Sequence, residues 1–159
     1  MLRLRLGRDF KNKSMYKVVI DANLWISFLI GKRLKKLKDL CSNKNVSVIS
    51  SPKIIEEYLD VSSRPKVKKY IEEEESILIV LDLIKTFCVD DTDIDVEAPE
   101  LRDPKDLYLL SLAKANNADF LLTGDKDLLA LERRNQTEII SFSNFMARLE
   151  MPENKNSPP

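Results

Sequence analysis

Histidine is absent from the 159-residue chain. That removes Ser-His-Asp and Cys-His catalysis, imidazole acid–base chemistry and every histidine-containing zinc site. There are only two cysteines, Cys41 and Cys88, and no CxxC spacing joins them. This pattern disfavours a thiolate metal centre or a dithiol motif, and both residues read as reduced core thiols suited to the cytosol. Long apolar runs are also missing. The longest, Ile77 to Leu81, falls far short of the ~18 residues of a membrane span. No secretory signal is read, because no apolar segment follows the basic residues at the start. Any chemistry must come from carboxylates, lysines or hydroxyls.

Hydrophobic residues at 43% and charged ones at 33% describe an ordinary globular protein. A chain of this length makes one domain and buries roughly 68–70% of its unfolded surface without a stapling disulfide or metal. Positive and negative charges balance at 26 each, but unevenly. Residues 1–14 form a basic arm with Arg3, Arg5, Arg8, Lys11 and Lys13 against Asp9 alone. The arm reads either as residues upstream of an initiator at Met15 or as a contact for nucleic acid and anionic surfaces. The domain is placed at 15–150, and 151–159 is expected to be a disordered, proline-rich tail.

Along the domain, Lys17 to Ile20 and Val46 to Ile49 are β-branched apolar runs that predict buried strands. Leu24 to Ile30 is a helix too apolar to be anything but buried, and Gly31 is expected to stop it. Leu34 to Leu40 is a basic helix. Ser51 and Pro52 give a helix start, cap followed by first-turn proline, with the helix running to about Val61. One long amphipathic helix is expected from Lys66 to about Ile84, then an edge strand over Phe87 to Val89 and an acidic loop over Asp90 to Glu100. Pro104 to Asn116 predicts a helix, Asp119 to Leu122 a strand, and Leu128 to Leu131 a short helix. Glu138 to Ile140 predicts the last strand, and Ser143 the cap of a final helix. Strands without period-2 alternation, separated by helices, imply a parallel sheet covered on both faces.

In such folds, sites form at the carboxyl ends of the strands. Asp21 follows the first strand, and Glu56 and Glu57 lie early in the helix after the second. Asp103 and Asp106 open the helix before the Asp119 strand, and Asp125 and Asp127 follow that strand. Asp21 and Asp103 each fit a helix cap as well as a ligand role. On a helical wheel Asp106 falls on the inward stripe of Leu110 and Ala113, where an uncompensated acid is costly. Glu57 flanks the apolar stripe of Ile54, Tyr58 and Val61, whereas Glu56 points away from it. Asn23 reads as a helix cap, or with Ser27 one turn on as a residue orienting Asp21. Hard oxygen donors without histidine or cysteine suit Mg²⁺ or Mn²⁺, and with them metal-assisted phosphoryl transfer.

Val18-Val19-Ile20-Asp21-Ala22-Asn23, Trp25-Ile26-Ser27, Glu57, Asp106 with Ala113, and Leu122-Thr123-Gly124-Asp125-Lys126-Asp127-Leu128 together resemble a PIN domain. Within that family the sequence looks most like the VapC-like toxins of bacterial toxin–antitoxin pairs. The resemblance implies a three-layer α/β/α sandwich in a single domain and a Mg²⁺- or Mn²⁺-dependent endoribonuclease of the cytoplasm. It implies a catalytic, metal-binding quartet of Asp21, Glu57, Asp106 and Asp125, with Asn23 and Thr123 as supporting polar residues. Asp103 and Asp127 are extra acids beside the motif positions. A cognate antitoxin and a homodimer are the partners implied, with RNA as substrate. Lys126 and Lys105 are candidates to hold phosphate. The patch of Lys32, Arg33, Lys35, Lys36 and Lys38 supplies RNA affinity, the antitoxin contact or a solvated helix face. A haloacid-dehalogenase phosphatase would need a second acid where Asn23 stands.

Overall fold

Each predicted buried strand forms. Tyr16–Ile20 is β1, Val46–Ser50 is β2, Phe120–Leu122 is β4 and Thr137–Ile140 is β6. The computed structural model describes residues 15–71, 74–87, 89–90 and 104–150. The expectations for the basic arm, the tail, most of the acidic loop, Cys88 and Asp103 lie outside those residues. With Val89–Asp90 as β3 and Arg133–Arg134 as β5, the sheet order is β3-β2-β1-β4-β6-β5. All pairings are parallel except β5 with β6. Val18, Val19 and Ile20 are at most 1% exposed, so β1 is covered on both faces, as a central parallel strand must be. The architecture is a single α/β/α domain.

The helices are Ala22–Ile30 (α1), Leu34–Cys41 (α2), Pro52–Ser62 (α3), Pro65–Lys68 (α4), Glu75–Phe87 (α5), Pro104–Ala115 (α6), Lys126–Leu129 (α7) and Phe142–Glu150 (α8). Trp25, Phe28 and Leu29 carry α1 into the core, where α1, α2, α3 and α5 pack on one another. On α3 the sequence-predicted start holds: the Ser51 hydroxyl accepts from the Ile54 N–H at 3.4 Å, and Pro52 follows it. No helix among the described residues is long and apolar enough to cross a membrane.

Four local expectations are corrected. The long helix from Lys66 is instead two, α4 and α5. Continued backwards, the buried stripe of Ile84, Val80 and Ile77 would fall on positions 73 and 74, both glutamates. Breaking the helix lets Ile71, which is off that stripe, turn into the core at 8% exposure. Gly31 ends α1 as expected, with an ordinary φ of −79°, and the left-handed turn follows at Lys32, φ 58°. The edge strand is Val89–Asp90, and Phe87 ends α5. The helix after β4 starts earlier, at Lys126, because Asp125 caps it. The cap of α8 is Ser141, whose hydroxyl accepts from the Asn144 N–H at 3.2 Å. Phe142 joins that helix and its ring meets Phe28 edge-on at 4.6 Å, which leaves Ser143 inside the first turn. The sequence gives no sign of the antiparallel edge β5; Asn135, at φ 57°, turns the chain between it and β6.

Candidate active site

Register brings the site together. Ile20 pairs with Leu122, and Leu122 with Ile140, so Asp21, Thr123 and Ser141 leave three adjacent parallel strands at one level of one edge. Helices run back against the strands they connect, so the starts of α3 and α6 return to that same edge.

Asp21 is 5% exposed and has a partner on each carboxylate oxygen. Its Oδ1 accepts from the Asn23 N–H at 3.0 Å, which makes Asp21, not Asn23, the cap of α1. Its Oδ2 accepts from the Thr123 hydroxyl at 2.9 Å. Thr123 is fully buried, and its oxygen accepts from the Asp125 N–H at 3.0 Å. Asp125 Oδ1 then accepts from the N–H groups of Asp127 and Leu128, at 2.8 and 3.1 Å, and so caps α7. Asp21 therefore meets the helix-cap reading of the sequence with one oxygen, while Thr123 holds the other at the shared edge of β1 and β4.

Burial pushes the Asp21 carboxyl above its ordinary range. The hydrogen bonds from Asn23 and Thr123 pull it back, the negative charge of Asp125 raises it further, and the ammonium of Lys105 lowers it. Lys105 sits in the first turn of α6 and pairs with Glu57 of α3 at 3.3 Å. Glu57 is half-buried there, while Glu56 is exposed, as the helical wheel anticipates. The same two helix starts are tied by the Tyr108 hydroxyl, which donates to the Ser51 oxygen at 2.6 Å. Asp106, one residue beyond Lys105, is 8% exposed. Asn23, Ser27, Lys126 and Asp127 are exposed on α1 and α7.

Among the described residues no three acids are grouped so as to ligate one ion. The donor chemistry nevertheless fits a hard cation. Asp21 and Asp125 are two like-charged groups in electrostatic reach of each other, one of them buried. Mg²⁺ typically takes one or two protein carboxylates and fills its remaining positions with water and phosphate.

Beside Thr123 and Gly124 opens a cavity of about 630 Å³, whose far wall is α8. Ser141, Phe142 and Met146 belong to that wall and were not singled out from the sequence. The available signal was the i, i+4 spacing of Phe142 and Met146, which reads equally well as ordinary core.

Residues 17–127 match the family model described as PIN domain. The chain belongs to the PIN domain family. All four acids, Asp21, Glu57, Asp106 and Asp125, lie within the matched stretch. PIN domains are generally nucleases and typically use divalent metal ions. The chain is 30% identical over 146 residues to the uncharacterized protein MJ1680 of Methanocaldococcus jannaschii, covering 89% of this chain and 90% of that one. A solved structure, VapBC2 from Rickettsia felis bound to a DNA fragment from its promoter, overlaps 77% of this chain and 98% of its own. Identity over that overlap is 17% and the TM-score is 0.48.

Proposed function

We propose that this PIN domain is a metal-dependent endoribonuclease that hydrolyses RNA phosphodiester bonds, and that it is the toxin of a toxin–antitoxin pair held silent by a cognate antitoxin in the cytoplasm. The observation that carries the nuclease reading is the Asp21–Thr123–Asp125 chain of hydrogen bonds at the shared carboxyl edge of β1 and β4. The sequence resemblance to VapC-like toxins supports the toxin role.

In this reading Asp21, Asp106 and Asp125, with Glu57, form an acidic rim that would hold Mg²⁺ or Mn²⁺. When bound, such an ion would supply activation of a water at neutral pH and offset charge on the scissile phosphate. Thr123 holds the Asp21 carboxylate and the backbone at Asp125, which keeps the two residues side by side at the strand edge. Asn23, Ser27, Asp103 and Asp127 are supporting polar residues. Lys105 neutralises Glu57 in the absence of substrate, and Lys105 with Lys126 faces incoming phosphate.

A second reading, an RNA- or protein-binding PIN-like module with weak catalysis, is favoured by the lack of a three-acid group among the described residues. Incubation of single-stranded RNA with wild type and Asp21→Asn in MgCl₂, MnCl₂ or EDTA separates the two. The nuclease reading expects cleavage that needs the cation and falls at least about 100-fold in the variant. RNA that is bound by both proteins and cut by neither establishes the second reading. Co-purification with the product of an adjacent reading frame tests the toxin role.

A further inference from the structure

We propose that the cavity beside Thr123 is a subsite for one nucleotide of a single-stranded nucleic acid, flanking the phosphate on which the acidic rim acts. Arg33 and Lys36 hold its phosphate, and an apolar wall from α1 and α8 receives its base. The inference rests on the nuclease reading of the adjoining rim and extends it to how substrate is held.

Three observations carry it. The first is position: Thr123, which donates to Asp21, and Gly124, where a Cβ would meet nothing within 4 Å, both border the cavity. A ligand in it therefore lies one residue from the buried carboxylate. The second is shape and lining. At about 630 Å³ the cavity falls in the range of small-molecule sites. Its apolar side is Leu24, Phe28, Phe142 and Met146, and the Arg33 guanidinium lies over the Phe28 ring at 4.7 Å. A guanidinium resting over an aromatic ring can offer its other face to a base and its N–H groups to phosphate.

The third is charge. Arg33 and Lys36 make no ion pair among the described residues. Asp39, also in the lining, is engaged by Lys35 at 3.1 Å, and the remaining acid is Glu150, the last residue of α8. Two cations without an ion pair among the described residues complement a polyanion whose backbone passes from one to the other. The basic patch read from the sequence thereby divides. Arg33 and Lys36 face this cavity, whereas Lys32, Lys35 and Lys38 border other hollows, toward Tyr70 and Ile79.

The test measures binding of a short fluorescein-labelled single-stranded RNA by anisotropy, in EDTA and across a salt titration. Arg33→Glu/Lys36→Glu should weaken binding at least about tenfold and flatten the salt slope by roughly 0.7 for each phosphate no longer neutralised. Ala147→Trp, on the exposed side of α8, fills the cavity without altering charge and should weaken binding about fivefold or more, the scale of one base stack. Lys38→Glu/Lys44→Glu is the charge-matched control and should weaken it much less. Equal loss in the control, or full binding by Ala147→Trp, would overturn the subsite by showing diffuse electrostatic attraction. Unchanged binding by both cavity variants would also overturn it and leave the cavity to another occupant, such as a peptide. Metal-dependent cleavage by wild type and Asp21→Asn, followed in parallel, reports on the acidic rim alone, so either idea can fail without the other.

Discussion

The hydroxyl of Thr123 donates to Asp21 Oδ2 at 2.9 Å, across 102 positions of chain. The same oxygen accepts from Asp125, so one buried threonine joins the ends of two strands and two carboxylate residues. Thr123→Val keeps the shape and removes both bonds, leaving a buried carboxylate oxygen and a backbone N–H without these partners. The expected cost is about 1–3 kcal/mol, read as a lower midpoint in thermal unfolding. A midpoint equal to wild type would mean that the hydroxyl holds nothing.

The raised carboxyl of Asp21 links stability to pH, and the proposed cation would add a second linkage. That carboxyl is raised from an ordinary 3.8, so the folded chain binds that proton more tightly than the unfolded one. Stability from this group is therefore present at low pH and is lost as pH rises from the ordinary value through the folded one. Asp21→Asn removes the charge, and at neutral pH in EDTA it should melt at or above wild type. Millimolar MgCl₂ should then raise the wild-type midpoint and leave the variant unmoved. Calorimetry that finds an equal magnesium-induced rise in both would take Asp21 out of the cation site.

In the proposed site a divalent cation would compete with Lys105 for the same negative charge. Lys105→Met frees Glu57 and removes the ammonium that lowers Asp21. Mn²⁺ should then bind roughly two- to tenfold more tightly in a calorimetric titration. Fold stability should change by less than about 1 kcal/mol, because the pair is partly exposed. Weaker Mn²⁺ binding would instead make Lys105 a support of the site.

Glu138 shows the opposite pH sign. Arg148 grips both of its oxygens, at 3.1 and 2.8 Å, and holds its carboxyl below the ordinary 4.5. This contribution is present above that value and is lost as pH falls through the folded one. Glu138→Gln should cost on the order of 0.5–1 kcal/mol at neutral pH, and the difference from wild type should close in acid. Urea unfolding at several pH values measures it.

Leu121, fully buried in β4 between β1 and β6, tests the core beneath the rim. Leu121→Ala should cost about 2–5 kcal/mol through reduced burial and the cavity left behind. The chain's one tryptophan, Trp25, is 1% exposed and reports the transition by fluorescence.

The division between what could and could not be read beforehand follows distance along the chain. The runs at Val18 and Val48, the cap and proline at Ser51 and Pro52, and the inward stripe through Asp106 each fit inside one window of sequence. Periodicity and capping act on that scale, so strands, helix starts and the faces of Asp106 and Glu57 were legible. The break between α4 and α5 was not, since it depends on whether Ile71 finds a core to enter. Ser141 displaced Ser143 as a cap because Phe142 is drawn to Phe28, more than a hundred residues away.

By itself the sequence determined that this chain has no imidazole and no CxxC pair, that its central strands are buried, and that acids follow strand ends. These are matters of residue type and local pattern. The tertiary structure decided which acids share a hydrogen-bond chain, that Lys105 shields Glu57, and that Arg33 and Lys36 turn toward the same cavity as Thr123. Those relationships depend on the parallel register that sets Ile20, Leu122 and Ile140 side by side, and a register is settled only when the whole sheet packs.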